Sequence, residues 1–123
     1  MTEIPYILAT NDESLNQILE KFLDVNFELQ NVSNGLELLQ SIKDRRPDLV
    51  LMELNMPVMT GSEACKTIKA MEGYYDLPII ICSSSTSEDD IEKGFEAGAD
   101  AYITKPFIEY ELMKAIEHYL GEN

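Results

Sequence analysis

The chain has 123 residues, with 9 Lys and Arg against 23 Asp and Glu for a net charge of −14, and 45% of its residues are hydrophobic. That length suits one compact domain, so a single domain over residues 1–123 without a separate output domain is expected, and the composition excludes disorder. The acidity argues against direct contact with nucleic-acid phosphates; no apolar run nears the ~20 residues of a membrane span and no basic leader opens the chain, so no membrane contact and a cytoplasmic location are expected.

Short apolar runs rich in β-branched residues occur at 6–10, 27–32, 49–54, 79–82 and 101–104, the second being the weakest. They are too short for helices and too continuous for strands exposed on one face. Between them the apolar residues recur at helical spacing. The first stripe is Leu15, Ile18, Leu19 and Phe22; the second is Leu36, Leu39 and Ile42; the third is Ala64, Ile68 and Met71. Ile91 and Phe95 mark a short fourth helix closed by Gly98, and Leu112, Ala115, Ile116 and Tyr119 mark the last. Strand and helix alternate throughout, which predicts an α/β, flavodoxin-like doubly wound (βα)5 fold with a five-stranded parallel sheet.

Cys65 and Cys82 have no CxxC spacing and His118 is the single histidine, so a zinc site is not expected and both thiols read as packing residues. The tract Glu88-Asp89-Asp90 reads as a helix start favoured by the dipole.

In a doubly wound fold the functional crevice lies beyond the carboxyl ends of the strands. The residues directly after the apolar runs are Asn11-Asp12-Glu13, Glu53-Leu54-Asn55-Met56-Pro57, Ser83-Ser84-Ser85 and Thr104-Lys105-Pro106. Acids, a hydroxyl and a lysine therefore converge on one edge. The chemistry this suggests is phosphoryl handling, in which carboxylates and a backbone carbonyl hold Mg²⁺ while lysine and hydroxyl neutralise phosphoryl oxygens. Asp12 equally suits a helix N-cap, and Ser83 to Ser87 suits loop and cap chemistry.

The segments PYILATNDE, RRPDLVLMELNMPVMTG, LPIIICSSS and GADAYITKPF together resemble a response-regulator receiver domain of the chemotaxis CheY type, over essentially the whole chain. Ser83 follows Glu53 by 30 residues and Lys105 follows it by 52, spacings similar to those of that family. The resemblance implies a module of a two-component phosphorelay in which an aspartate at the end of the third strand accepts phosphate, with Mg²⁺, from a histidine kinase. It places Glu53 at the phosphoacceptor position, and Asn11 and Asp12 where the family carries a pair of acids. It assigns Asn55 as a backbone-carbonyl metal ligand, Ser83 as the switch hydroxyl, Tyr102 as the switch aromatic and Lys105 as the family's lysine. The implied output surface spans roughly residues 87–120.

Two of these positions depart from the pattern. Glutamate at 53 carries one methylene more than aspartate, and a misplacement of ~1 Å can cost in-line attack about a hundredfold. The same methylene pushes a negative charge outward toward Lys105 and Ser83, where it imitates a phosphorylated aspartate, although a phosphoryl group carries about −1.5 to −2 charges. Asn11 removes a charge from the metal corner, so Mg²⁺ binding at Asp12, Glu53, Asn55 and Asn11 is expected to be weak. Paired with Glu53, it favours a naturally degenerate site over a single introduced substitution. The leading expectation is a non-enzymatic signalling module, independent of phosphorylation or held in an active-like state, that binds a histidine kinase or a downstream effector. The alternative is a working Mg²⁺-dependent phosphoacceptor. A flavin or nucleotide domain is disfavoured, because Asn11-Asp12-Glu13 stands where a Gly-rich phosphate loop would be.

Overall fold

The computed structural model describes residues 4–21 and 27–121. Its elements alternate as β1 (Tyr6–Thr10), α1 (Glu13–Glu20), β2 (Glu28–Val32), α2 (Gly35–Asp44), β3 (Leu49–Glu53), α3 (Gly61–Ala70), β4 (Ile79–Ser83), α4 (Glu88–Glu96), β5 (Ala101–Thr104) and α5 (Glu109–Tyr119). The strands form one parallel sheet in the order β2-β1-β3-β4-β5. This is the flavodoxin-like order, with the chain reversing direction across the sheet between β1 and β3.

Alternation along each strand divides the core into two layers. Tyr6, Leu8, Val50, Met52, Ile79 and Ile81 face Leu38 and Ile42 of α2 and Ala64 and Ile68 of α3. Ile7, Ala9, Leu49, Leu51, Ile80 and Cys82 face Leu15 and Leu19 of α1 and Leu112 and Ile116 of α5. Because both faces are covered, β1, β3 and β4 are buried almost throughout, which explains their continuous apolar runs. Both cysteines are buried within these layers; burial pushes the Cys65 thiol up to about 11 and the Cys82 thiol up to about 12.

Local signals fix where most helices begin. The side chains of Asp12, Asn34, Thr60 and Ser87 accept the N–H groups of Leu15, Glu37, Glu63 and Asp90, and Thr60 with Glu63 forms a reciprocal capping box. The tract Glu88-Asp89-Asp90 is the first turn of α4.

Each of two expected apolar stripes has one residue turned outward; in α2, Ile42 and Leu39 pack on the core as expected. With Asn34 as cap, α2 turns Gly35, Leu38 and Ile42 to the sheet, and Leu36 is 56% exposed. In α4, Gly94 faces the sheet and Phe95, one residue on, is 48% exposed. Ile81 and the Tyr102 ring fill the space beneath: a Cβ on Gly94 would lie 3.2 Å from Ile81 Cδ1 and 3.3 Å from the ring. Phe22, expected on α1, lies outside the described residues.

Among the described residues, no helix is long and apolar enough to cross a membrane.

Candidate functional site

Parallel pairing brings the ends of β1, β3, β4 and β5 to one edge. The β1–β3 register ends at Ala9 opposite Leu51, and the Thr10 hydroxyl then accepts the Glu53 N–H at 3.0 Å. After β3 the chain turns sharply. Gly61 N–H donates to the Leu54 carbonyl at 2.7 Å, and a Cβ at Gly61 would fall 2.5 Å from the Glu53 carbonyl oxygen. Only glycine permits that approach, which fixes the loop from Asn55 to Thr60 against the strand end.

At this edge Lys105 joins the two acids. Its Nζ donates to Asp12 Oδ2 and to Glu53 Oε1, and the three side chains are only 16–23% exposed. The other oxygen of each carboxylate is engaged as well. Asp12 Oδ1 accepts the Leu15 N–H at 3.0 Å and the Ser14 hydroxyl at 2.8 Å, and Glu53 Oε2 accepts the Asn55 N–H at 3.3 Å. Asp12 is therefore both helix cap and ion-pair partner.

Burial alone would raise the Asp12 carboxyl, but the bonds from Lys105, the Leu15 N–H and Ser14 together hold it below the usual carboxylate range. Burial likewise opposes the Lys105 charge, and the two carboxylates outweigh it and raise the ammonium above the ordinary lysine value. One cation thus serves two anions, leaving the triad a single net negative charge.

Ser83 and Tyr102 form a separate unit. Ser83 is fully buried and its Oγ accepts the Ser85 N–H at 3.1 Å. The Tyr102 hydroxyl donates to the Ser85 carbonyl at 2.9 Å. The two flanking peptide groups of Ser85 therefore link hydroxyl and ring. Among the described residues no hydrogen bond joins Ser83 to Glu53, so the expected pull of Glu53 on the switch hydroxyl is replaced by a bond to the chain just after β4. Ser83 is tied to the triad through its carbonyl, which accepts the Lys105 backbone N–H at 2.8 Å.

Asn11 is exposed, and its Oδ1 accepts from Asn16 Nδ2 at 3.1 Å. Its position beside Asp12 is as expected, but its oxygen is committed to α1. Asn55 is exposed too, and no backbone hydrogen bond among the described residues takes its carbonyl.

The donor set of Asp12, Glu53 and the Asn55 carbonyl consists of hard oxygens and suits Mg²⁺ in kind. It offers two carboxylates, and among the described residues no cluster of three metal-ligating acids, histidines or cysteines occurs. A cation entering there competes with the Lys105 ammonium for both acids.

Thr10, Asn16 and Ser85 join the site without having been singled out in the sequence. Thr10 is the last residue of its run and carried a weak signal as a buried hydroxyl at a strand end. Asn16 carried none, and Ser85 stood only as one of the serines that follow the fourth run.

A parallel sheet in this order, with a lysine from the end of β5 bridging acids from the ends of β1 and β3, defines an α/β signalling-type crevice at the strand ends. Residues 7–117 match the response regulator receiver domain, and the chain belongs to that family. It is 36% identical over 115 residues to the chemotaxis protein CheY of Halobacterium salinarum, covering 93% of this chain and 94% of that one. It is 36% identical over 118 residues to the transcriptional regulatory protein PrrA of Mycobacterium bovis, covering 94% of this chain but only 50% of PrrA. The chain thus spans about half the length of that relative. Among solved structures it resembles the receiver domain of the sensor histidine kinase PA1611 from Pseudomonas aeruginosa, which has a magnesium ion in its active-site cleft. The TM-score is 0.83 at 27% identity, with 98% of this chain and 100% of that one covered.

Proposed function

We propose that this receiver domain of a two-component response regulator works by protein–protein interaction without phosphoryl transfer of its own. The observation that carries the reading is the Lys105 ammonium bonded to both Glu53 and Asp12. The carboxylate at the phosphoacceptor position is longer than aspartate and already bonded to Lys105, so it is a poor nucleophile in a displaced position. Glu53 acts as a built-in anion for Lys105, in the role a phosphoryl group would otherwise take.

In this reading Glu53, Lys105 and Asp12 hold the strand ends together, and Ser83, Ser85 and Tyr102 set the face toward α4. The domain is not an enzyme. Mg²⁺ binds weakly, through Asp12, Glu53 and the Asn55 carbonyl in competition with Lys105; when bound, it would neutralise charge on phosphoryl oxygens. The partners are proteins, a histidine kinase or a downstream effector, in the cytoplasm. PrrA is named as a transcriptional regulator, but the net charge of −14 opposes contact of these 123 residues with a phosphate backbone.

The test is incubation with acetyl phosphate and Mg²⁺ followed by intact-mass measurement. The parent is expected to remain unmodified, and Glu53→Asp is expected to gain the ~80 Da of a phosphoryl group. A near-stoichiometric gain in the parent that disappears in Glu53→Gln would establish the working phosphoacceptor instead.

A further inference from the structure

Three side-chain amides run in series from the edge strand to the site. Asn31 Nδ2, on β2, donates to the Ala9 carbonyl at 3.4 Å and to Asn16 Oδ1 at 3.1 Å; Asn16 Nδ2, on α1, donates to Asn11 Oδ1 at 3.1 Å. The polarity of this chain is set at its far end. A backbone carbonyl only accepts, so the group that Asn31 turns toward Ala9 is its NH₂. The second hydrogen of that NH₂ requires an oxygen from Asn16, and Asn16 is left to offer its own NH₂ to Asn11. Asn11 therefore meets the helix with its oxygen, and its NH₂ is the end that no described residue takes.

We propose that Asn16 and Asn31 are positioning residues that fix Asn11 as a hydrogen-bond donor beside Asp12, and thereby set the strand-end site against divalent cations. A metal needs the amide oxygen, the one atom of Asn11 that the relay engages. The Asn16 bond holds one of that oxygen's two lone pairs and fixes the orientation of the amide, so a cation competes with the relay for it. This deepens the proposed function, on which it rests for the identity of the site: Asn11 not only lacks the charge of an acid but has its oxygen held by α1.

The amides are partly or wholly exposed, so the effect is modest. The experiment is a titration with Mg²⁺ alone, followed by the backbone N–H signals of Asp12 and Asn55, in the parent, Asn16→Leu, Asn11→Ala and the double variant. Asn16→Leu is expected to tighten Mg²⁺ binding about threefold when Asn11 is present and to leave it unchanged when Asn11 is alanine. Asn31→Ala, which removes the anchor and leaves α1 untouched, is expected to change affinity in the same direction. Equal affinities in parent and Asn16→Leu, the same gain with and without Asn11, or binding below detection in all chains would overturn the relay. Phosphorylation of the parent would sink the proposed function while leaving this comparison readable, so the two failures are distinct.

Discussion

The two ends of the sheet carry similar chemistry in different surroundings. At the amino end, Arg45 lies 4.0 Å over the Tyr6 ring and makes a two-pronged pair with Glu28 at 2.7 and 3.0 Å, with both partners about half exposed at 53% and 51%. At the carboxyl end, Lys105 shares its charge between Asp12 and Glu53, all at or below 23% exposure. Geometry is better at the amino end, where a planar guanidinium matches a carboxylate. Consequence is greater at the carboxyl end, because water there replaces a lost partner less fully. An ion pair thus matters according to what remains when it is broken, more than how well it is formed.

Removing each cation sharpens the contrast. Lys105→Met leaves two partly buried carboxylates facing each other, and its expected cost is about 2 kcal/mol, between the ~1 of exposed pairs and the 3–5 of fully buried ones. Adding Glu53→Gln should recover much of that loss, a coupling readable as a double-mutant cycle in urea unfolding. Arg45→Met should cost less, and its effect should fade further at high salt. Comparable losses at both ends would break the comparison.

The sequence discloses these two ends unequally. The strands are legible because burial on both faces makes them continuous apolar runs, and Asp12, Glu53 and Lys105 are legible because a parallel sheet brings its strand ends to one edge. Leu36 and Phe95 were misplaced because an apolar residue does not report its own phase: Asn34 sets it for α2, and in α4 Ile81 and the Tyr102 ring fill the space beneath Gly94. The amide relay was illegible because Asn31 and Asn16 meet only through the pairing of β1 with β2. The place of Ser83 at a strand end was legible, but its partner was not, because its hydroxyl bonds two residues along its own chain.

A smaller effect concerns the loop that follows β3. Val58 has φ of 74° and is 73% exposed, so a β-branched residue sits in left-handed backbone with no burial to offset the strain. Met59 N–H donates to the Pro57 carbonyl at 2.8 Å across Val58, which closes a γ-turn. Val58→Gly is expected to stabilise the fold by about 1 kcal/mol in urea unfolding, because glycine carries no Cβ to strain at positive φ. A destabilised variant would mean that the Val58 side chain makes a contact worth more than the strain. The gain should be independent of Lys105, since it arises in the backbone and not in the triad.

One ammonium serves both acids, and the two kinds of group lose their contributions at opposite ends of the pH range. The folded Asp12 carboxyl lies below its ordinary value of 3.8, so its contribution to stability is complete above that pH and is lost as pH falls through the folded value. The folded Lys105 ammonium lies above 10.5, so its contribution is complete below that pH and is lost as pH rises through the folded value. The most direct measurement is the NMR titration of the Lys105 side chain in the parent and in Glu53→Gln. The expected midpoint lies above 10.5 in the parent and falls when Glu53 loses its charge. A parent midpoint at or below 10.5, or one that Glu53→Gln leaves in place, would contradict the sharing of one ammonium by two acids.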